Sequence, residues 1–290
     1  FPIERANGIQ TVETCYALAE RGHEVALVVR PDTREPARDP FAYYGLAPAA
    51  ALRIERAPVR GPATARRIGY LSFAAGRILA GGADAVMTRD LGVAALLLRL
   101  PRGARPPLVY ESHGYAPDVA AALPQLIPNA PAASRFKLSR LARREARVWR
   151  EADGYVTITA ALAGDLQGRF GARDLLRIIP DGVRIPADTG AGDPAVQEPA
   201  AAHMTLIVAY AGHLYAWKGV DVLLEALALV PGVRGLIVGG HASEPDLARL
   251  QGIAGRLGLA DRVTFTGMVE PGRVAALLRT ASVLVLPNPA

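Results

Sequence analysis

Four short stretches of the 290-residue chain carry side chains whose type and placement suit chemistry on an anionic ligand. The first, "GHLYAWKG" (Gly212 to Gly219), lies between an apolar run, Leu206 to Ala211, and an amphipathic run with apolar residues at Val220, Leu223, Leu224, Leu227 and Val230. A strand that turns through glycine into a helix sets backbone N–H groups and the positive end of the helix dipole at the sheet edge, where a phosphate can be held. Lys218 adds a mobile full charge, and Gly212 and Gly219 let the backbone approach a ligand closely. No G-x-G-x-x-G follows a strand here. Taken alone, the stretch reads as well as a plain strand-to-helix connection with a solvated Lys218 and Trp217 as a packing cap.

The second stretch, "YESHGYAPD" (Tyr110 to Asp118), puts His113 directly after an apolar strand-like run, at the expected carboxyl edge of a sheet. There an imidazole can donate a hydrogen bond to a sugar hydroxyl or a developing oxyanion. As a single histidine it reads more plainly as a loop residue satisfied by backbone. The third, "IIPDGVRIP" (Ile178 to Pro186), is turn chemistry around Asp181. In the fourth, Asn7-Gly8 opens an amphipathic helix that stops at Gly22-His23, and this helix start is a further place for a diphosphate.

The elements that must position these residues alternate along the chain. Strand-like runs at 23–30, 52–59, 83–90, 106–114, 154–159 and 175–182 are interleaved with helix-like runs at 8–21, 64–79, 135–151 and 160–170. From Pro186 to Ala202 the periodicity collapses into a Pro, Gly, Ala and acid mixture that reads as a linker. A second series follows, with strands at 204–212, 233–240, 262–269 and 282–288 and helices at 220–229, 244–257 and 271–280. Such alternation predicts an α/β protein with parallel sheets. We expect one Rossmann-like domain over 1–186, a linker over 187–202 and a second Rossmann-like domain over 203–290. Two such halves imply a cleft that can close.

Composition narrows the class. With 51% hydrophobic and 21% charged residues the chain is globular, and its length suits two domains. The net charge is +6, with Lys137 and Lys218 the only lysines among 33 basic residues. Cys15 is the only cysteine, which excludes an internal disulfide, fits a reducing compartment and suggests a packed helix residue. No apolar run is long enough to span a bilayer and no signal peptide is present, so a cytoplasmic or membrane-surface location is expected. The arginine-rich helix 134–153 reads as a solvated face, or as a surface resting on anionic lipid and guiding a lipid-linked acceptor. Aromatic stacking platforms and RNA-binding signatures are missing, so nucleic acid is not expected as a partner.

In order and spacing, these elements resemble the family 4 retaining glycosyltransferases of the GT-B fold. The resemblance rests on the glycine-bearing helix start before "RGHEV", the "HG" after a mid-domain strand, "EADGYVTIT" with "IIPDGV", then "AGHLYAWKGVDVLLEAL", "LIVGG", "RVTFTGMV" and "VLVLPNP". It implies transfer of a sugar from a nucleotide-diphosphate-sugar donor to an acceptor, with retention of configuration and without a bound metal. By resemblance Lys218 matches the lysine that neutralises the donor diphosphate. His213 stands where most members carry an arginine. His113 matches the histidine near the transferred sugar and is the expected catalytic residue. Gly8 matches a loop glycine near the phosphates, and the backbone at Met268 and Val269 matches the segment that reads the base. Asp181 replaces the usual asparagine of "PNGV".

The chain begins without methionine and stops just after a strand-like run, so both ends look cut and the second domain is expected to be incomplete. The family's glutamate pair, implied by resemblance to contact donor ribose and sugar, would lie beyond Ala290, so residual activity of this chain alone is in question. The acceptor implied is a glycan, a lipid-linked molecule or a small glycoside. A sugar-nucleotide epimerase and a non-catalytic nucleotide-sugar-binding module are the alternative readings.

Overall fold

The computed structural model describes residues 1–126, 130–184, 206–241 and 244–287. In chain order it contains α1 (Ala6–Glu20), β1 (Val25–Val29), α2 (Pro40–Tyr44), β2 (Leu52–Arg56), α3 (Ala63–Leu79), β3 (Val86–Thr88) and α4 (Leu91–Leu97). These are followed by β4 (Leu108–Ser112), α5 (Ala116–Leu126), α6 (Arg135–Glu151), β5 (Gly154–Thr157), α7 (Ala160–Phe170) and β6 (Leu176–Ile178). The remaining elements are β7 (Ile207–Ala211), α8 (Val220–Leu229), β8 (Arg234–Val238), α9 (Asp246–Arg256), β9 (Val263–Gly267), α10 (Pro271–Leu278) and β10 (Val283–Leu284). Each strand falls inside an apolar run picked out from the sequence, shortened where the run turns into loop.

The chain forms two compact units, Phe1–Arg38 with Ala49–Val183, and Asp39–Pro48 with Arg184–Ala290. Residues 39–48, expected in the first domain, thus group with the second. The physical reason is a glycine contact: a Cβ on Gly45, at the end of α2, would stand 2.6 Å from the Cα of Gly272 in α10. The segment 187–202, expected as the linker, lies outside the described residues.

In the first unit β1 pairs with β2, and a separate parallel sheet runs in the order β3-β4-β5-β6. Its core gathers Leu97, Leu108, Tyr110, Val148, Trp149, Tyr155 and Leu166. Polar residues at helix starts set where the helices begin, by accepting N–H groups that a first turn leaves without partners. Asp90 accepts from Gly92 and Val93 at 2.8 and 3.1 Å, Ser134 from Lys137 at 3.2 Å, and Thr159 from Leu162 at 3.1 Å.

The second unit holds a parallel sheet in the order β10-β7-β8-β9. Tyr210, Leu214, Leu224, Ile237, Leu250 and Leu259 form its main core. Among the described residues no helix is long and apolar enough to cross a membrane.

Candidate functional site

In the second unit, three strands end on glycine at one carboxyl edge, the edge at which open parallel sheets bind ligands. The Gly212 N–H donates to Val238 O at 2.9 Å, and the Gly239 N–H donates to Gly267 O at 3.1 Å. A Cβ on Gly239 would sit 2.1 Å from Gly212 O, and the φ of Gly239 is +126°, so only glycine lets β7 and β8 end this close together. Gly239 was not singled out from the sequence; the double glycine of "LIVGG" was its one signal.

The loop after Gly212 is pinned. Leu214 is fully buried, and the Tyr210 hydroxyl donates to His213 O at 2.6 Å. Burial pushes the Tyr210 phenol up to about 12, so it stays a donor at neutral pH. The His213 ring lies flat against Tyr215, with centroids 5.0 Å apart, and Trp217 stacks on the other part of the row at 6.1 Å from Tyr215. Lys218 Nζ is 4.1 Å from the centroid of the Trp217 ring, a cation–π contact that gives the lysine a preferred position. Glu244 closes the group: its Oε1 accepts from the Tyr215 hydroxyl at 3.1 Å, and its Oε2 is 3.9 Å from His213 Nδ1.

Gly219, with φ +69°, is the N-cap of α8 and offers no side-chain acceptor. The first-turn N–H groups of α8 are therefore open to a ligand or to solvent. Gly212, His213, Lys218 and Gly219 thus share one loop. Met268 follows the end of β9 and is exposed, whereas the Val269 side chain packs into the small core around Ala209, Leu236 and Val238.

In the first unit His113 lies just past the end of β4, and its Nε2 is 2.8 Å from Glu111 Oε1. The same oxygen is 2.7 Å from Arg89 Nη2, beyond the end of β3. Burial on its own would raise the Glu111 carboxyl; the hydrogen bond from His113 and the charge and hydrogen bond of Arg89 outweigh it and hold the group below the usual carboxylate range. An ionised carboxylate only accepts, so Nε2 donates and Nδ1 remains the ring's other polar atom.

Asp181, read from the sequence as a turn residue, joins this group: ligand-type atoms of Glu111, His113 and Asp181 lie within 4.8 Å of one another. Arg89 also reaches α1, its Nη1 standing 3.4 Å from Thr11 Oγ1, one turn after Gly8. Gly8 itself is buried inside the first turn of α1, two residues after the helix begins, and its N–H donates to Arg5 O at 2.9 Å. The Gly8 amide is therefore already engaged. Behind His113, the fully buried Glu145 accepts from the Tyr155 hydroxyl at 2.8 Å and from the Ala116 N–H at 3.4 Å, tying α6 to the start of α5.

Arg140, Arg143, Arg147 and Arg150 of α6, spaced i, i+3, i+7 and i+10, share one helix face. Arg147 donates to Glu151 and to Leu98 O at 2.8 and 2.7 Å, whereas Arg140, Arg143 and Arg150 are exposed.

The comparisons agree with this architecture. The model for Glycosyltransferase Family 4 matches residues 8–185, and that for Glycosyl transferases group 1 matches residues 194–289. D-inositol 3-phosphate glycosyltransferases from Acidothermus cellulolyticus and Xylanimonas cellulosilytica are each 32% identical, over 63% and 50% of this chain and 42% and 37% of theirs. The chain spans about two-fifths of the length of these curated relatives.

Among solved structures, sucrose-phosphate synthase from Thermosynechococcus elongatus has a TM-score of 0.68 at 19% identity, covering 98% of this chain and 70% of that one. WaaG, a glycosyltransferase involved in lipopolysaccharide biosynthesis, has a TM-score of 0.61 at 19% identity, covering 99% and 72%. Anabaena HepE, solved in complex with UDP, has a TM-score of 0.55 at 18% identity, covering 82% and 61%. These likenesses show the fold, an α/β fold of the GT-B type. With more than half of its length matched by the family model, the chain belongs to glycosyltransferase family 4.

Proposed function

We propose that this glycosyltransferase moves a sugar, a hexose in the first instance, from a nucleotide-diphosphate donor to an acceptor with retention of configuration, and that it does so without a bound metal. The observation that carries the donor half is the glycine-closed sheet edge of the second unit, where Lys218, His213 and the open first turn of α8 share one loop. A diphosphate there would meet N–H donors, a full charge and the positive end of a helix. Met268, at the end of β9, two strands across the sheet from β7, is the proposed contact for the base through its backbone, with Val269 beside it. Gly8 is a proposed diphosphate contact only through the α1 helix end, since its amide is engaged.

The reaction breaks the bond between the anomeric carbon and the diphosphate oxygen, and the electron pair leaves with the diphosphate. Charge grows on that leaving group, so a cationic cradle stabilises the transition state more than the bound donor. The acceptor oxygen bonds to the anomeric carbon on the face the diphosphate leaves, and its proton passes to a diphosphate oxygen. His113, held by Glu111, is proposed to orient the transferred sugar through its free ring nitrogen. Acceptor binding is assigned to the first unit.

The acceptor is a glycan, a lipid-linked molecule or a small molecule; the name of the relatives, which specifies an inositol phosphate, favours the last. Exposed Arg140, Arg143 and Arg150 on α6 support a companion proposal, peripheral seating on an anionic membrane. HepE has been solved with UDP and with UDP-glucose, so these are the first probes. Calorimetry on the full chain should show UDP binding that Lys218→Ala weakens by about tenfold or more. Unchanged affinity would remove the donor assignment. Donor binding with no transfer to any acceptor would favour the binding-module reading, and an epimerised donor without acceptor would favour the epimerase.

A further inference from the structure

A pocket of about 260 Å³ opens in the first unit at the amino ends of β4 and β5, lined by Leu98, Leu100, Arg102, Arg105, Arg150 and Glu151. It lies a strand's length from His113, which follows the carboxyl end of β4. Arg105 is the unusual member. Its side chain is only 3% exposed, yet among the described residues its hydrogen bonds all leave from Nη1, to Asp153 Oδ2 at 2.6 Å and to Pro106 O at 3.0 Å. The buried Nε has no partner. Nε–H and the adjacent Nη2–H form one edge of the guanidinium, the edge that can take both oxygens of a single oxyanion. Carbonyls on the surrounding segments are already taken: Leu98 O accepts from Arg147, and Trp149 O and Ala152 O accept from Arg173. Burial alone would raise the Asp153 carboxyl; the Leu108 N–H and Arg105 outweigh it, so Asp153 stays charged and keeps Nη1 occupied.

We propose that this pocket is a second ligand site, for a small aliphatic carboxylate, seated on the Nε and Nη2 edge of Arg105 with its hydrocarbon part against Leu98 and Leu100. A buried donor without an acceptor is costly, and a carboxylate on this edge removes that cost with two charge-assisted bonds. Arg102 and Arg105 share the one Asp153 carboxylate, at 3.2 and 2.6 Å, and Arg150 has no carboxylate partner among the described residues. Positive charge is therefore in excess at the pocket. Glu151, on the same wall, bonds to Arg147 and opposes a second negative charge on the ligand, which favours a carboxylate over a phosphate dianion. Given a water's share of about 30 Å³, the volume holds on the order of eight or nine heavy atoms, enough for a short branched acid. The pocket shares no residue with the donor loop or with the Glu111 and His113 group, so it stands or falls separately from the proposed transfer reaction.

Calorimetry on the full chain tests it with 4-methylpentanoate, acetate, 4-methylpentan-1-ol and inorganic phosphate as probes. The branched acid should bind saturably and more tightly than acetate or phosphate, and the alcohol, which has the same body without the charge, should give no binding heat. Arg105→Lys keeps a cation and removes the two-donor edge; it should weaken 4-methylpentanoate by about tenfold. Arg150→Gln, at an exposed position where folding is not at stake, should weaken it by about two- to fivefold. UDP affinity should not change in either variant.

Absent binding of 4-methylpentanoate to the wild type overturns the proposal, as does equal affinity in Arg105→Lys. Should Arg105→Lys fail to fold, equal affinity in Arg150→Gln overturns it instead. Tighter binding of phosphate than of the acid would also overturn it, because the apolar wall and Glu151 would then play no part in selection.

Discussion

His113 Nε2 stands 2.8 Å from Glu111 Oε1, two residues back along the chain, and the same oxygen holds Arg89. Glu111 lies in β4 and His113 just past its end, so the two-residue spacing keeps the carboxylate near the imidazole. Glu111→Ala would leave Arg89 and His113 partly buried without their acceptor, at a cost of about 3 kcal/mol. The depressed Glu111 group contributes stability that is fully present above the ordinary glutamate value, about 4.3, and is lost as pH falls through its lower folded value. Urea unfolding should therefore show a wild-type advantage over Glu111→Gln at pH 7 that shrinks in strong acid. An advantage independent of pH would mean the carboxylate charge is not what matters.

Glu145 has the opposite sign. Burial raises its carboxyl, against the lowering effect of the Tyr155 and Ala116 hydrogen bonds. The folded state keeps this proton after the unfolded chain has lost it, so stability falls as pH climbs from about 4.3 to the folded value. Glu145→Gln keeps an acceptor for Tyr155 and removes the titration. Its stability should lack that fall, and an identical pH slope in both proteins would contradict the assignment.

Glycines with positive φ separate into two kinds. Gly22, with φ +89°, has nothing within 4 Å of an added Cβ, whereas Gly239 would place one 2.1 Å from Gly212 O. Gly22→Ala should cost only backbone strain, about 1–2 kcal/mol. Gly239→Ala should cost clearly more and should also weaken UDP, because the strand ends it separates frame the proposed donor edge. Thermal unfolding and nucleotide titration of the two variants check this together.

His213 lies flat on Tyr215 at the head of the proposed diphosphate loop. A guanidinium at this position is always charged and forks onto phosphate oxygens. His213→Arg should therefore strengthen UDP binding, by roughly tenfold for one added charge-assisted hydrogen bond. Calorimetry at low and moderate salt measures it; weaker binding in the variant would show that the stacked imidazole is itself the preferred partner.

Burial pushes the Cys15 thiol up to about 11, only partly offset by Arg89. Thiolate is the reactive form, so the folded protein should react slowly with an aromatic disulfide reagent at pH 8 and rapidly once unfolded in urea. Fast labelling of the native protein would contradict this packing.

Much of the fold was legible along the chain. Apolar runs bounded by Gly, Pro and Asp marked every described strand, most cleanly for β4, β5 and β8, which are buried nearly throughout and so must be almost continuously apolar. Three helices were not read. Pro40–Tyr44 and Leu91–Leu97 are too short for a 3.6-residue period to emerge, and Ala116–Leu126 carries prolines at 117 and 124 that look like breaks. Asp90, whose side chain starts α4, was the missed signal.

What the sequence determined by itself is local: the order of strands and helices, the glycine turn with Lys218 before α8, and the two-residue spacing that keeps Glu111 beside His113 at the end of β4. Period and turn chemistry act between near neighbours, so they can be read in line. Only the tertiary structure decided which distant residues meet. Arg89 and Asp181 come to His113 from 24 residues before it and 68 after it. Gly239 closes on Gly212 because parallel strands align their ends, and Arg105 meets Asp153 because β4 pairs with β5. Those meetings depend on how buried faces pack, and a linear pattern records which faces are apolar without recording what they pack against.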